Sequence, residues 1–249
     1  MLTAERRDAI LLLTLNRPEK RNALHPDLIA ELVIKLTSAA KDKTLSVVVI
    51  TGAGNTFCAG LDLNHLLSLE LEGKRDYLET VFSIFRQIYT LPQPVIAAIN
   101  GPAMAGGFDL AVMCDLRLCS PSATFAQTEV LLGLTQMVYP LYKIIGLSRA
   151  KELAMTGEMI TADEAYRIGL VNRIHPPEEL LDRAMKLAET LASRPREALF
   201  ETKRLSRELI DLDTAPAFDL MQKIVAERLS SDEHRRKADE FVAKLKSRR

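Results

Sequence analysis

The chain has 249 residues, of which 47% are hydrophobic and 27% are charged, values typical of a globular protein with a sizeable core. Lysine plus arginine and aspartate plus glutamate number 33 each, so no excess charge favours nucleic acid or an anionic membrane as a partner. No apolar run is long enough to span a membrane, and the amino terminus lacks the layout of a secretory signal. We therefore expect a cytoplasmic protein that does not bind membranes.

The cysteines and histidines give no sign of a disulfide framework or a metal site. Three cysteines occur without CxxC spacing, and four histidines lie far apart without HxxxH or HExxH pairing. We expect the cysteines to be reduced packing residues and no metal to be bound. The residues are Cys58, Cys114 and Cys119, and His25, His65, His175 and His234.

The first half of the chain alternates between predicted strands and helices. Apolar, largely β-branched runs predict buried strands at 10–15, 47–50 and 95–99. Apolar residues at helical spacing predict helices over 28–36 and 77–89. The second of these helices places one apolar face toward the core, formed by Leu78, Val81, Phe82, Phe85 and Ile88.

The same alternation continues to about residue 190 and then stops. A helix through 110–113 and a strand at 116–119 imply parallel strands joined by helical crossovers. Thr161 and Glu164 have the spacing of a capping box, and 180–191 has helical periodicity. Everything after Pro195 has a helical pattern. We therefore expect an α/β core over residues 1–190 and a helical region over residues 191–249.

Two glycine-bearing turns each follow a predicted buried strand. Residues 99–110 read INGPAMAGGFDL, and residues 51–63 read TGAGNTFCAGLDL. The first N–H groups of a helix that starts at such a turn lack intrahelical acceptors and can bind a negative oxygen. Glycines also serve tight turns alone, and spacing does not establish that the two turns meet. If they do meet, two amides would face a single oxyanion.

Several motifs in order resemble the enoyl-CoA hydratase/isomerase superfamily, also called the crotonase family. They are RP at 17–18, RNAL at 21–24, FCAGLD at 57–62, NG at 100–101, GG at 106–107, CD at 114–115, TG at 156–157 and TKRL at 202–205. The resemblance covers essentially the full length. It implies a (ββα)n spiral core, a carboxyl-terminal helical trimerisation region, and assembly as a homotrimer or hexamer.

The resemblance also implies a site and a substrate. The N–H groups of Leu61 and Gly106 would form an oxyanion hole for the thioester oxygen of an acyl-CoA, with coenzyme A as part of the substrate and no separate cofactor. The implied substrate-binding residues are Arg21, Ala23, Ala59, Leu61, Asp62, Leu63, Gly106 and Met137.

Glu129 and Asp109 fall where many hydratases of the family carry two glutamates that jointly bind the reacting water. Asp109 is shorter than glutamate by one methylene, which leaves two reactions open: hydration of a 2-enoyl-CoA, or isomerisation of a double bond. Family members that isomerise dienoyl-CoA have a further aspartate where this chain has Met137. Without that motif context, each carboxyl would be interpreted as a local helix cap.

Two other classes of function remain open. Basic clusters at Arg235-Arg236-Lys237 and at residues 244–249 would suit RNA binding, although such clusters are usually solvated helix faces and the neutral total charge disfavours nucleic acid. The chain could also keep the fold without turnover and serve as a scaffold. Apolar positions at Ala217, Leu220, Ile224 and Leu229 predict association of the helical region.

Overall fold

A six-stranded sheet forms the centre of the first unit. The computed structural model describes residues 1–247, and in this range the sheet order is β1-β2-β3-β4-β6-β9, antiparallel between β1 and β2 and parallel elsewhere. A second sheet has the order β5-β7-β8. The strands are β1 Leu2–Arg7, β2 Ile10–Leu15, β3 Val47–Gly52, β4 Val95–Ile99, β5 Ala103–Met104, β6 Leu116–Cys119, β7 Thr124–Ala126, β8 Ile160–Thr161 and β9 Arg173–Ile174.

Helices follow most strands, as the alternation predicts. Short 3-10 turns also occur at Pro18–Lys20, Glu129–Leu132 and Leu209–Asp211. The helices are α1 Pro26–Lys41, α2 Leu63–Ser68, α3 Leu71–Thr90, α4 Gly106–Met113, α5 Leu141–Ile145, α6 Leu147–Thr156, α7 Ala162–Arg167, α8 Pro177–Ala192, α9 Arg196–Glu208, α10 Thr214–Leu229 and α11 Asp232–Lys246. The predicted cap at Thr161 is present, because its hydroxyl accepts from Glu164 N at 3.3 Å.

The central strands are buried on both faces because helices cover each side of the sheet. Alternate residues of β3 point into two separate apolar clusters: Val48 and Ile50 pack with residues of α1, α3 and α4, whereas Val47 and Val49 pack with α8. This arrangement explains why β3 is a continuous apolar run rather than an alternating one. The three cysteines are buried in the core, as predicted for packing residues.

The small sheet brings two loops to one edge. Strands β5 and β7 are parallel neighbours, with Met104 opposite Ala126, and Ala105 N donates to Ala126 O at 2.8 Å. Chain segments that leave the carboxyl ends of adjacent parallel strands begin side by side. Strand β5 leads into α4 and its Asp109, while β7 leads to Glu129 at the start of a 3-10 turn. The two carboxyls thus start from neighbouring strand ends.

Helix α4 is fixed at both ends. A Cβ on Gly107 would lie 2.1 Å from Cys58 O, so only glycine permits this close approach. At the other end, the buried Arg117 guanidinium donates to Cys114 O at 2.5 Å and to Ala111 O at 3.3 Å, while its Nε donates to Leu170 O at 2.6 Å. The guanidinium thus supplies donors at the carboxyl end of the helix, where backbone donors from the helix itself run out.

One apolar pair on α3 differs from the prediction. Val81, Phe85 and Ile88 are buried as expected, but Leu78 and Phe82 are 37% and 49% exposed. Periodicity identifies one face of the helix but does not tell whether every residue on it meets the core. Leu78 and Phe82 instead border a cavity that is described below.

The chain divides into two compact units between Ala192 and Ser193. The second unit contains α9, α10 and α11, and α10 exposes the apolar side chains of Phe218, Val225 and Leu229. On α11, Arg236 and Lys237 both pair with Glu240, at 2.7 and 2.8 Å. Arg248 and Arg249 of the basic terminal cluster lie outside the described residues. Within residues 1–247, no helix is both long and apolar enough to cross a bilayer.

Candidate active site

A cavity of about 260 Å³ in the first unit is mainly apolar and contains two carboxyls. One wall is the exposed end of the α3 face, and another is the segment of residues 134–137. Leu61, Gly106, Asp109 and Glu129 line the remaining sides. Among the described residues, Asp109 and Glu129 are the only ionisable side chains that line it. Such an enclosure keeps a reacting group away from bulk water and strengthens electrostatic interactions inside it.

The two glycine turns touch each other at this cavity. Gly60 has a φ of +90°, and a Cβ placed on it would lie 2.9 Å from Gly106 N. A Cβ placed on Gly106 would lie 3.6 Å from Gly60 Cα. In the described chain, neither the N–H of Leu61 nor that of Gly106 has a hydrogen-bond acceptor. Two free amide donors on adjacent turns therefore border the same cavity.

The α4 helix adds a favourable field for negative charge. Gly106 is its first residue, so the Gly106 N–H belongs to the turn whose donors lack intrahelical acceptors. The aligned peptide dipoles make this end of a helix positive. A developing oxyanion near Gly106 would be stabilised by both effects.

Asp109 is buried in the first turn of α4, with 5% of its surface exposed. Burial raises the pKa of this carboxyl well above its ordinary value, and the neighbouring Glu129 raises it further. A hydrogen bond from Gln127 Nε2 to Asp109 Oδ1 at 3.1 Å acts in the opposite direction. The net effect is a raised pKa, which favours the neutral, protonated form of Asp109.

Glu129 opens the 3-10 turn that follows β7 and lies half-buried beside the cavity. Burial also raises the pKa of the Glu129 carboxyl. Two carboxyls in one poorly hydrated cavity cannot both ionise without repulsion, so they titrate as a coupled pair. Such a pair can accept a proton on one member and supply a proton from the other.

Asp109→Asn is expected to stabilise the protein at pH 7. Because the folded-state pKa of Asp109 lies above its unfolded value, the favourable contribution of this group is present at low pH and is lost as pH rises through the folded-state pKa. Asparagine does not ionise, so the variant avoids this loss. Its free energy of unfolding at pH 7 should be higher than that of wild type by about 1 kcal/mol or more. Thermal melting of the variant and of wild type at pH 7 and pH 4 measures this difference in stability.

In that measurement the gain in melting temperature should shrink toward pH 4. Asp182→Asn, at an exposed position, serves as the control and should change the melting temperature little at either pH. A D109N protein that melts lower than wild type at pH 7 would contradict an unfavourable buried carboxylate.

A second and larger cavity lies on the other side of the Gly60 turn. Its volume is about 600 Å³, and Arg21 and Ala59 line it together with backbone and side chains of residues 54–56. Since Ala59 borders this cavity and Leu61 borders the smaller one, the Gly60 turn stands between the two. Arg21 is exposed and is the one cation among the described residues that line the larger cavity.

The remaining candidates, Ala23, Asp62 and Leu63, are not among the residues that line either cavity. Asp62 pairs with the buried Arg17 at 3.1 Å and caps α2 by accepting from His65 N at 3.2 Å. The carbonyl of Ala23 accepts from Arg17 Nη1 at 3.0 Å. The side chain of Leu63 is 47% exposed. Asp62 and Ala23 are therefore joined through the buried Arg17.

Comparison with known proteins places this geometry in a family. The sequence profile described as enoyl-CoA hydratase/isomerase matches residues 5–248. A short-chain-enoyl-CoA hydratase of Clostridium acetobutylicum is 34% identical over 97% of this chain and 94% of its own length. The crystal structure of an enoyl-CoA hydratase from Bacillus anthracis superimposes with a TM-score of 0.95 at 31% identity, covering 98% of this chain and 96% of the other.

The chain belongs to the enoyl-CoA hydratase/isomerase family. The crotonase-like fold and an enzyme of the enoyl-CoA hydratase or isomerase type, both expected from the motifs, are thereby confirmed. A crotonyl-CoA hydratase of Syntrophomonas wolfei is also similar, at 36% identity over 87% of this chain and 85% of its own. The structure of an enoyl-CoA hydratase from Mycobacterium smegmatis gives a TM-score of 0.93 at 30% identity over 98% and 96%.

The residues that line the smaller cavity include some of the candidates named from the motifs and some that were not named. Leu61, Gly106, Asp109, Glu129 and Met137 all line the smaller cavity. Gln136, Leu78 and Phe82 line it as well but were not among the candidates. Leu78 and Phe82 carried a signal, the apolar face of α3, that was interpreted as core. Gln136 carried none, because a single glutamine in a loop has no diagnostic pattern.

Proposed function

We propose that this family member adds water to a 2-enoyl-CoA thioester and forms a 3-hydroxyacyl-CoA. The observation that carries the proposal is the meeting of two free amides and two carboxyls at one mainly apolar cavity. The amides suit the thioester oxygen, and the carboxyls suit the two proton transfers that hydration requires.

The reaction balances with these groups alone. One carboxylate takes a proton from water while the water oxygen bonds to Cβ, and the electrons of the Cα–Cβ double bond move toward the thioester carbonyl. The N–H groups of Leu61 and Gly106 stabilise the resulting enolate oxygen, each contributing about 3 kcal/mol. The other carboxyl delivers its proton to Cα, which restores the carbonyl. Water has then been added across the double bond.

The larger cavity supplies a place for the coenzyme A portion of the substrate. It adjoins the acyl cavity at the Gly60 turn, and its exposed Arg21 suits a phosphate. A thioester carbonyl at the turn would place the acyl chain in the smaller cavity and the pantetheine in the larger one. This arrangement needs no cofactor beyond the substrate itself.

The lining of the smaller cavity favours an uncharged, apolar acyl group. Its acyl side is formed by Leu78, Phe82, Leu134 and Met137, and no cation of the described chain lines it. Relatives act on short-chain enoyl-CoA and crotonyl-CoA, and one from Escherichia coli, 36% identical over 83% of this chain and 82% of its own, is a 2,3-dehydroadipyl-CoA hydratase. A carboxylate at the acyl end would be buried here without a partner.

Double-bond isomerisation is the second candidate. Two carboxyls beside one cavity could move a proton between carbons without using water. The third carboxyl of dienoyl-CoA isomerases is replaced by Met137, which lines this cavity with an apolar side chain. Hydration therefore has the stronger support.

Mass spectrometry in heavy water separates the candidates. The purified protein is incubated with crotonyl-CoA, 2-hexenoyl-CoA, 2-decenoyl-CoA and 3-hexenoyl-CoA. Hydration adds the mass of water to the 2-enoyl thioesters, and this is the expected result. Deuterium without added water indicates isomerisation or exchange, and loss of coenzyme A indicates hydrolysis. No change in any substrate would contradict the proposal and favour a silent scaffold.

Assembly and the RNA alternative remain predictions. The exposed Phe218, Val225 and Leu229 of α10 support association into the expected homotrimer or hexamer. The basic residues Arg236 and Lys237 are engaged by Glu240, which lowers the support for an RNA-binding surface.

A further inference from the structure

Gln136 lies between the two carboxyls of the acyl cavity. It belongs to the segment of residues 134–137, which lines this cavity. Its side-chain amide is within hydrogen-bond reach of both Asp109 and Glu129.

The amide has two orientations that differ by a half-turn. In one, Nε2 lies 3.4 Å from both Asp109 oxygens, the long limit of a hydrogen bond, and Oε1 faces the Glu129 oxygen. In the other, Nε2 donates to Glu129 Oε2 at 2.5 Å, while Oε1 accepts from Gln127 Nε2 at 2.7 Å and from Met137 N at 3.2 Å. The second orientation gives both ends of the amide a hydrogen-bond partner and is therefore the favoured one.

In this second orientation the two carboxyls face different ends of the Gln136 amide. Glu129 receives a donated hydrogen bond from Gln136 Nε2, which favours its ionised form. Asp109 instead faces Gln136 Oε1, an acceptor, at 3.4 Å from both of its oxygens. An acceptor beside a carboxyl suits the protonated acid, which can donate, and disfavours the carboxylate.

We propose that Gln136 is a positioning residue that keeps Glu129 ionised and the shared proton of the pair on Asp109. The proposal rests on the proposed hydration and deepens it, because it assigns the two roles: Glu129 takes the proton from water, and Asp109 delivers its proton to Cα. Gln136 itself exchanges no proton with the substrate.

The other surroundings of Glu129 do not oppose this assignment. The α3 wall is apolar, and Asp109 of α4 is the one other ionisable group lining the cavity in the described chain. Helix α6, which packs against the 3-10 turn of Glu129, carries Arg149, Lys151 and Glu152 on its exposed surface, with Arg149 paired to Glu152 at 2.9 Å. Burial raises the pKa of both carboxyls, and the neighbouring Glu129 raises that of Asp109 further.

The test compares Gln136→Glu and Gln136→Met with wild type. Gln136→Glu keeps the shape of the side chain but replaces the amide donor by an acceptor, and Gln136→Met removes all hydrogen bonding. Gln222→Met is the matched control, because Gln222 is exposed on α10 and is not among the residues that line the cavity. Thermal melting confirms that each variant is folded.

The pH profile of kcat/KM is the first readout. Loss of the donor raises the pKa of Glu129, and the acidic limb of the profile should therefore move to higher pH in Q136M and further in Q136E. At pH 6 we expect kcat to fall roughly tenfold in Q136M, a part of the 10²–10⁴ that a whole acid–base group provides, with KM little changed. Q222M should keep the wild-type profile. Profiles of Q136M and Q136E that superimpose on wild type would overturn the proposal.

Carbon-13 NMR of glutamate side chains is the second readout and needs no substrate. The Glu129 carboxyl is assigned by its absence in Glu129→Gln, and its titration should move upward in both Gln136 variants. An unchanged titration would overturn the inference even if the enzyme is active. Wild-type protein that hydrates no enoyl-CoA would instead contradict the proposed function, while the NMR titration would still report on Gln136.

Discussion

Replacing Glu129 by glutamine is expected to lower kcat/KM for a 2-enoyl-CoA at least about 100-fold, the scale of a lost general acid or base. The amide keeps the size of the side chain but can neither take a proton from water nor return one. The half-buried position of Glu129 beside Asp109 allows this exchange without a gross change in packing. Steady-state kinetics with crotonyl-CoA across pH 5 to 9 measures the effect.

Two comparisons make the Glu129 result specific. Glu158→Gln, at an exposed position outside the cavity lining, should leave kcat/KM at the wild-type value. The melting temperature of E129Q should not fall, because burial disfavours the charge that the substitution removes. An E129Q enzyme with unchanged turnover would exclude Glu129 from the chemistry.

Gly60→Ala is expected to lower kcat by about 100-fold or more, because the added Cβ would displace the nearby N–H of Gly106. A Cβ at residue 60 would lie 2.9 Å from Ala105 Cβ, from Gly106 N and from Met104 O. Something must shift at each of these three contacts, and the Gly106 N–H is one of the two donors assigned to the thioester oxygen. The positive φ of +90° adds strain of about 1–2 kcal/mol for any residue other than glycine.

Gly169→Ala separates these two effects. Gly169 has a similar φ of +79°, but no atom lies within 4 Å of the position of its Cβ. This variant should therefore show the backbone strain as a lower melting temperature while kcat stays at the wild-type level. Equal losses of kcat in G60A and G169A would show that strain alone, and not the Gly106 amide, accounts for the result.

Strand and helix periodicity predicted the elements that are long and buried. The runs at β2, β3, β4 and β6 are apolar because helices cover both faces of the sheet. Strand β1 was not predicted, because five of its six residues are exposed and its charged sequence has no strand pattern. The two- and three-residue strands β5, β7 and β8 also lack a pattern, although β5 and β7 position the carboxyl pair. Pairing between distant segments is a tertiary property that short runs do not encode locally.

The candidate site was predicted where motifs carried it and not where tertiary packing creates it. Gly60 and Gly106 lie far apart in sequence, and only the folded chain reveals that their turns touch. Phe82 was assigned to the core because apolar residues at helical spacing occur both in cavity walls and in packed interiors, and the sequence pattern is the same in the two cases. Gln136 lines the cavity because its loop passes beside it. That position depends on side-chain contacts, which the spacing of residues in the sequence does not reveal.

Arg117 anchors helix α4 through a charge that does not titrate in the pH range of the two cavity carboxyls. Its guanidinium joins carbonyls at the end of α4 to Leu170 O beyond α7, so two distant stretches of chain share one cation. Arginine stays charged across the range in which carboxyls titrate. Acidification that protonates Asp109 and Glu129 therefore leaves the charge that anchors the carboxyl end of α4, the helix that presents Gly106, in place.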